Sequence, residues 1–166
     1  MRARVLIAAL GAGAALVVAG CSSGHGTAGG AGTVQVTTVG AMSGVLTNAA
    51  GRTLYVSDQE SGGKALCTTS DCTAIWVPLT ASGQPTGPSS VSGRLGTVTR
   101  ADGKTQVSLD GKPLYTFSFD HAAGQATGDG KQDAFGGTSF TWHVAVAGGT
   151  SGGTPSTSPT NGGSGY

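Results

Sequence analysis

The sequence predicts an all-β fold, a single compact domain of antiparallel hairpins arranged as a sandwich or barrel and built from two pseudo-repeated halves. Three observations predict it. Short runs of β-branched and aromatic residues alternate apolar with polar positions, glycine-containing turn signals separate them, and no amphipathic helix of useful length intervenes.

The elements begin with a leader. Arg2 and Arg4 precede an apolar run from Val5 to Ala19, shorter than the roughly 20 residues of a spanning helix but suited to a secretory signal. Val18-Ala19-Gly20-Cys21 then resembles the lipobox of bacterial lipoproteins, in which the leader is cut before a cysteine whose sulfur carries lipid. Residues 1–20 therefore read as a lipoprotein signal peptide and Cys21 as the lipidation site. The location this implies is the cell membrane, on its extracytoplasmic face, with the membrane as a partner through the anchor. Residues 21–32 contain Ser, Gly, Ala and Thr around His25, and residues 148–166 are Gly, Ser, Thr and Pro apart from Asn161 and Tyr166. Neither stretch buries enough apolar area to offset its ordering entropy, so they read as a flexible tether and a disordered tail. Residues 33–147 hold every charged side chain of the mature chain and are long enough for one core. Without the leader, 7 basic residues face 8 acidic ones, so nothing electrostatic recruits nucleic acid.

Inside the domain, Val34-Gln35-Val36-Thr37 alternates as a strand does. Asn48-Ala49-Ala50-Gly51 turns the chain between Val45-Leu46-Thr47 and Thr53-Leu54-Tyr55-Val56. A single helical turn is expected from Asp71 to Ile75, stopped by Pro78. Asp110-Gly111 lies between Thr105–Leu109 and Pro113–Phe117, the signal of a type I′ hairpin, whose two central positions need positive φ.

The chain repeats itself. Gly51-Arg52-Thr53-Leu54-Tyr55 is echoed by Gly111-Lys112-Pro113-Leu114-Tyr115, and each Tyr is followed five positions later by a carboxylate, Glu60 or Asp120. A Trp then opens an apolar stretch in each, Trp76-Val77-Pro78-Leu79 and Trp142-His143-Val144-Ala145. The halves span about 44–80 and 104–147, and a repeat of this kind reports a repeated supersecondary unit. On these residues the chain resembles the bacterial secreted-repeat lipoproteins with a Tyr-x4-Asp motif, a family of uncharacterised function. The second half carries the motif as Tyr115 and Asp120. The first departs from it, with Glu60 in place of Asp and Trp76-Val77-Pro78 where the family shows Trp-Pro-Pro.

Candidate chemistry is sparse. With Cys21 assigned to lipid, Cys67 and Cys72 remain, and in an exported protein such a pair implies a disulfide. A loop this short contributes about 2 kcal/mol, a local clip. The pair lacks the Cys-x-x-Cys spacing of a redox site. Ser61-Gly62-Gly63-Lys64 imitates a Ser-x-x-Lys nucleophile, but two glycines disfavour the helix that chemistry requires. Gly128-Asp129-Gly130-Lys131 lacks the spacing of a phosphate loop. Asp120, His121, Asp129 and Asp133, with His143 on the following strand, form the one candidate metal group, for a hard cation through oxygens or a transition metal through imidazole. Tyr55, Tyr115, Trp76 and Trp142 read as core.

The reading is thus a non-enzymatic envelope binding or interaction module with no cofactor, its partner an envelope protein or a small ligand. The alternative is a metal- or haem-handling, redox-associated envelope protein. Any ligand site is expected in the second half, whose loop keeps its carboxylates while the first half's loop carries the disulfide.

Overall fold

A computed structural model describes residues 33–150; the expected leader, Cys21, the tether and residues 151–166 of the expected tail lie outside them. The alternating runs form strands. In chain order the elements are β1 (Gln35–Val39), β2 (Met42–Thr47), β3 (Leu54–Ser57), α1 (Ser70–Ile75), β4 (Trp76–Pro78), β5 (Leu95–Thr99), β6 (Thr105–Leu109), β7 (Lys112–Pro113), β8 (Tyr115–Phe117), β9 (Gln132–Phe135), β10 (Thr138–Val146) and β11 (Gly149–Thr150). The last of these corrects the expected tail, because residues 149–150 pair back onto Ala145 and Val146. Asp110 and Gly111 take φ of 51° and 78°, as the type I′ turn demands.

The main sheet runs β1-β2-β10-β3-β8-β4, with β9 and β11 also on β10, and a smaller sheet runs β5-β6-β7. All pairs are antiparallel and the sheets stay open, so the barrel form is not adopted. Two expected hairpins are split. β10 lies between β2 and β3, leaving a single Thr47–Thr53 bridge across the Asn48 turn. On the other side Leu79, just past β4, donates its N–H to Leu114 O and accepts from Val107 N at 2.8 Å, and Thr80 bridges Gln106. Each inserted strand satisfies the facing backbone groups of both arms, which a two-stranded hairpin leaves half unpaired.

These insertions are equivalent. At the centre Tyr55 lies opposite Tyr115 in the β3–β8 pair. On one side Trp142 faces Ser57 and Val144 faces Tyr55; on the other Trp76 faces Phe117 and Pro78 faces Tyr115. Exchanging the halves reproduces this register, so a pseudo-twofold axis passes between the tyrosines. Each half therefore lends its Trp strand to the other.

Side-chain alternation places two cores on opposite faces of these strands. Tyr55, Trp76, Tyr115, Phe117, Phe140 and Trp142 pack with the disulfide on one face, while Leu46, Leu54, Val56, Val107, Leu109 and Leu114 pack on the other. β3 is buried at all four positions for this reason. The aromatic face holds the candidate site.

Candidate functional site

The repeated Tyr and carboxylate meet across the halves. Tyr55 Oη donates to Asp120 Oδ2 at 2.5 Å, and Tyr115 Oη donates to Glu60 Oε1 at 2.8 Å. Strand pairing sets this crossing: each Tyr sits beside the loop that leaves its partner strand. Burial, reinforced by the facing carboxylate, raises both hydroxyls far above the ordinary tyrosine range, so they remain protonated donors. The two indoles stack over the axis at 4.0 Å, with Tyr55 edge-on to Trp76 and Tyr115 edge-on to Trp142. Phe117 extends the stack on Trp76 at 4.5 Å, and Phe140 extends it on Trp142 at 5.4 Å. Such offset and edge contacts add about 0.5–1.5 kcal/mol per pair beyond burial.

Around this shared centre the loops differ. In the first half Glu60 Oε1 accepts three donors, the N–H groups of Leu66 and Cys67 and the hydroxyl of Tyr115. Glu60 Oε2 and Trp142 Nε1 are buried without partners among the described residues. Burial raises the Glu60 carboxyl above its usual range, opposed by those donors and by Arg100. The Cys67–Cys72 disulfide closes this loop beneath the aromatic face. Arg100, which sequence reasoning missed, lies buried there and donates through Nη1 to Gln106 Oε1 at 3.0 Å and to Cys67 O at 3.4 Å.

In the second half Asp120 Oδ1 accepts from Thr127 N and Thr127 Oγ1, and Trp76 Nε1 donates to Asp133 Oδ2 at 2.9 Å. Gly128 lets this loop close on the core, since a Cβ there would lie 2.9 Å from Trp76 and 3.0 Å from Tyr55. Lys131 is held through its backbone on both sides, by Gly128 O and Trp142 N. Between this loop and the end of β8 runs an open groove of about 370 Å³, lined by Ile75, Phe117, Phe119, Thr127, Lys131 and Asp133. Phe119 is 58% exposed at its rim. In the sequence Phe119 ends the alternating run Leu114–Phe119 and Lys131 falls in the rejected phosphate-loop motif, so neither reads as a site residue there. β8 ends at Phe117, so the alternation that would have turned Phe119 inward stops short of it.

The five candidate metal ligands are not brought together. Asp120 is buried under three hydrogen bonds and Asp133 holds an indole, while His121 is exposed. His143 turns away from buried Trp142, as alternation requires, and its Nε2 lies 3.1 Å from Asp58 Oδ2. Its Nδ1 is 3.9 Å from Asp129 Oδ1, which already accepts from Val144 N. Among the described residues no three His, Cys, Asp or Glu side chains converge as a metal would need.

Fold and site together define a two-repeat, all-β domain interlocked by its aromatic face. Residues 96–146, which run from β5 to the end of β10 and so cover the second repeat, match a family described as a secreted repeat of unknown function. That match is consistent with an extracellular or envelope location. No curated protein and no solved structure matches the chain.

Proposed function

We propose that this protein is a non-enzymatic binding module, held at the outer face of the cell membrane by a lipidated Cys21, that presents the groove beside Phe119 to a small ligand. The observation that carries the reading is that groove: a large apolar ring stands exposed at its rim, and its walls are fixed by hydrogen bonds to the core. Its volume lies in the range of small-molecule sites, which pair apolar walls with a few fixed polar groups. The non-enzymatic part is supported by how the repeated polar residues are used. Tyr55, Tyr115, Glu60 and Asp120 are buried and bonded to one another or to backbone, so none is placed to meet a substrate. The anchor rests on the basic start, the apolar run and the small residues before Cys21. Acyl chains contribute about 0.8 kcal/mol per buried CH₂, enough for two or more chains to hold the domain without a spanning helix.

The exported protein, in detergent, is screened against a small-ligand library by saturation-transfer NMR, as wild type and as Phe119→Ala. Signals present in wild type and lost in the variant are expected; equal signals in both contradict the groove. Cys21→Ala is expected to leave the membrane fraction, and its retention there with detergent partitioning unchanged contradicts the anchor.

A further inference from the structure

We propose that the ligand of this groove is a neutral saccharide, a step that rests on reading the groove as the binding site. One side of it is aromatic: Phe119 at the rim leans on Phe117 with ring centroids 5.3 Å apart, and Ile75 also lines the groove. Its polar side carries one cation and one anion. Lys131 and Asp133 stand two residues apart at the entry to β9, and strand geometry sends both side chains to the same side, where both line the groove. They form no ion pair with each other, and Asp133 commits only Oδ2, to Trp76.

That pairing decides the ligand's charge. An anion drawn to Lys131 meets the Asp133 carboxylate, and a cation drawn to Asp133 meets the ammonium, so a net charge gains little. Two hydroxyls on neighbouring carbons use both groups, one donating to the carboxylate and the other accepting from the ammonium, and such charge-assisted bonds are the stronger kind. The aromatic side decides the rest. The face of a phenyl ring is electronegative and takes the C–H face of a flat, saturated ring. A pyranose combines these features, with C–H groups on its face and hydroxyls around its edge. A groove of about 370 Å³, partly open to solvent, has room for one or two such rings of a longer chain. Its walls are already ordered, through Asp120 to Thr127 and through Gly128 and Trp142 to Lys131, so little is lost on fixing them.

The full chain in detergent micelles is titrated with cellohexaose, hexa-N-acetylchitohexaose and mannohexaose, and in parallel with phenethylamine and phenylpropionate as charged aromatic probes. Binding is followed by saturation-transfer NMR and tryptophan emission, with near-ultraviolet circular dichroism to verify that each variant is folded. Saturable binding of at least one hexasaccharide is expected, with Kd below about 1 mM. Phe119→Ala and Asp133→Asn should each weaken it tenfold or more. Leu66→Ala, which trims an exposed apolar side chain in the other half, should not change it. If a charged aromatic binds through Phe119 and no hexasaccharide binds, the saccharide class is overturned while the groove stands as the site. If no probe binds, both readings fall, and hexasaccharide binding that survives Phe119→Ala overturns the placement.

Discussion

Tyr55 and Tyr115 face each other at the centre of one sheet, and each is capped by the carboxylate of the opposite half, yet the two loops that deliver those carboxylates end in different structures. The first-half loop folds inward: Glu60 collects two backbone N–H groups and a disulfide seals the turn. The second-half loop stands open, with Asp120 bracing Thr127 and Trp76 bracing Asp133 at the edges of a groove. The same framework therefore supports a closed loop and an open one. What the repeat conserves within this chain is the interlock, and what it leaves free is the loop, where binding groups on a rigid scaffold usually sit.

Removing an indole from the shared stack has the largest effect. Trp76→Ala should cost about 3–5 kcal/mol in denaturant unfolding, the range for a fully buried aromatic. Trp142→Ala should cost a similar amount or less, because its Nε1 has no partner to lose whereas Trp76 also strands Asp133. Only the Trp76 change should disturb the groove, read by the NMR shifts of Lys131 and Phe119. Equal groove shifts in both variants would show that the loops are not independent.

Breaking the clip comes next. Cys67→Ser with Cys72→Ser should lower stability by about 2 kcal/mol, the loop-entropy value for so short a ring. Hydrogen exchange should rise around Leu66 and Cys67 and stay unchanged at Thr127 to Asp133. Two free thiols in the exported wild-type protein would contradict the bridge itself.

The smallest effect is on pH dependence. The folded Glu60 carboxyl holds its proton to higher pH than the unfolded one. Its contribution to stability is therefore complete below the ordinary glutamate range and is lost as pH rises through the raised value. Glu60→Gln, which keeps an acceptor for the same donors, should flatten that decline in unfolding free energy from about pH 4.5 upward. A variant as steep as wild type would show that Glu60 is not the group responsible.

Much of this was legible in the sequence because it rests on local rules. Strand runs such as Thr105–Leu109, the Asp110-Gly111 turn and the helical turn before Trp76 depend on neighbouring residues, and each formed. The repeated Gly-basic-x-Leu-Tyr run, followed in each half by a carboxylate and a Trp, marked Tyr55 and Tyr115 as equivalent, and the two face each other across β3 and β8. The crossing of the pairs was not legible, because it follows from β3 pairing with β8, which sets each Tyr beside the loop that leaves the other's strand, a choice made by long-range backbone pairing. The groove escaped for a related reason: Phe119 is exposed only because β8 stops at Phe117. The expected metal group failed because Asp120 and Asp133, free in a sequence, are occupied by Tyr55, Thr127 and Trp76 once the halves interlock.

The crossed interlock is tested most directly by double-mutant cycles that combine Tyr55 with each of the two carboxylates, Asp120 and Glu60. Unfolding free energies are measured for Tyr55→Phe, Asp120→Asn, Glu60→Gln and the doubles that combine the first with each of the others. A coupling of about 1 kcal/mol or more is predicted between Tyr55 and Asp120, since deleting one partner leaves the other buried without its bond. Tyr55 and Glu60, neighbours in sequence but bonded to opposite partners, should be additive within about 0.5 kcal/mol. Coupling of Tyr55 to Glu60 with none to Asp120 would contradict the account, because each repeat would then close on itself.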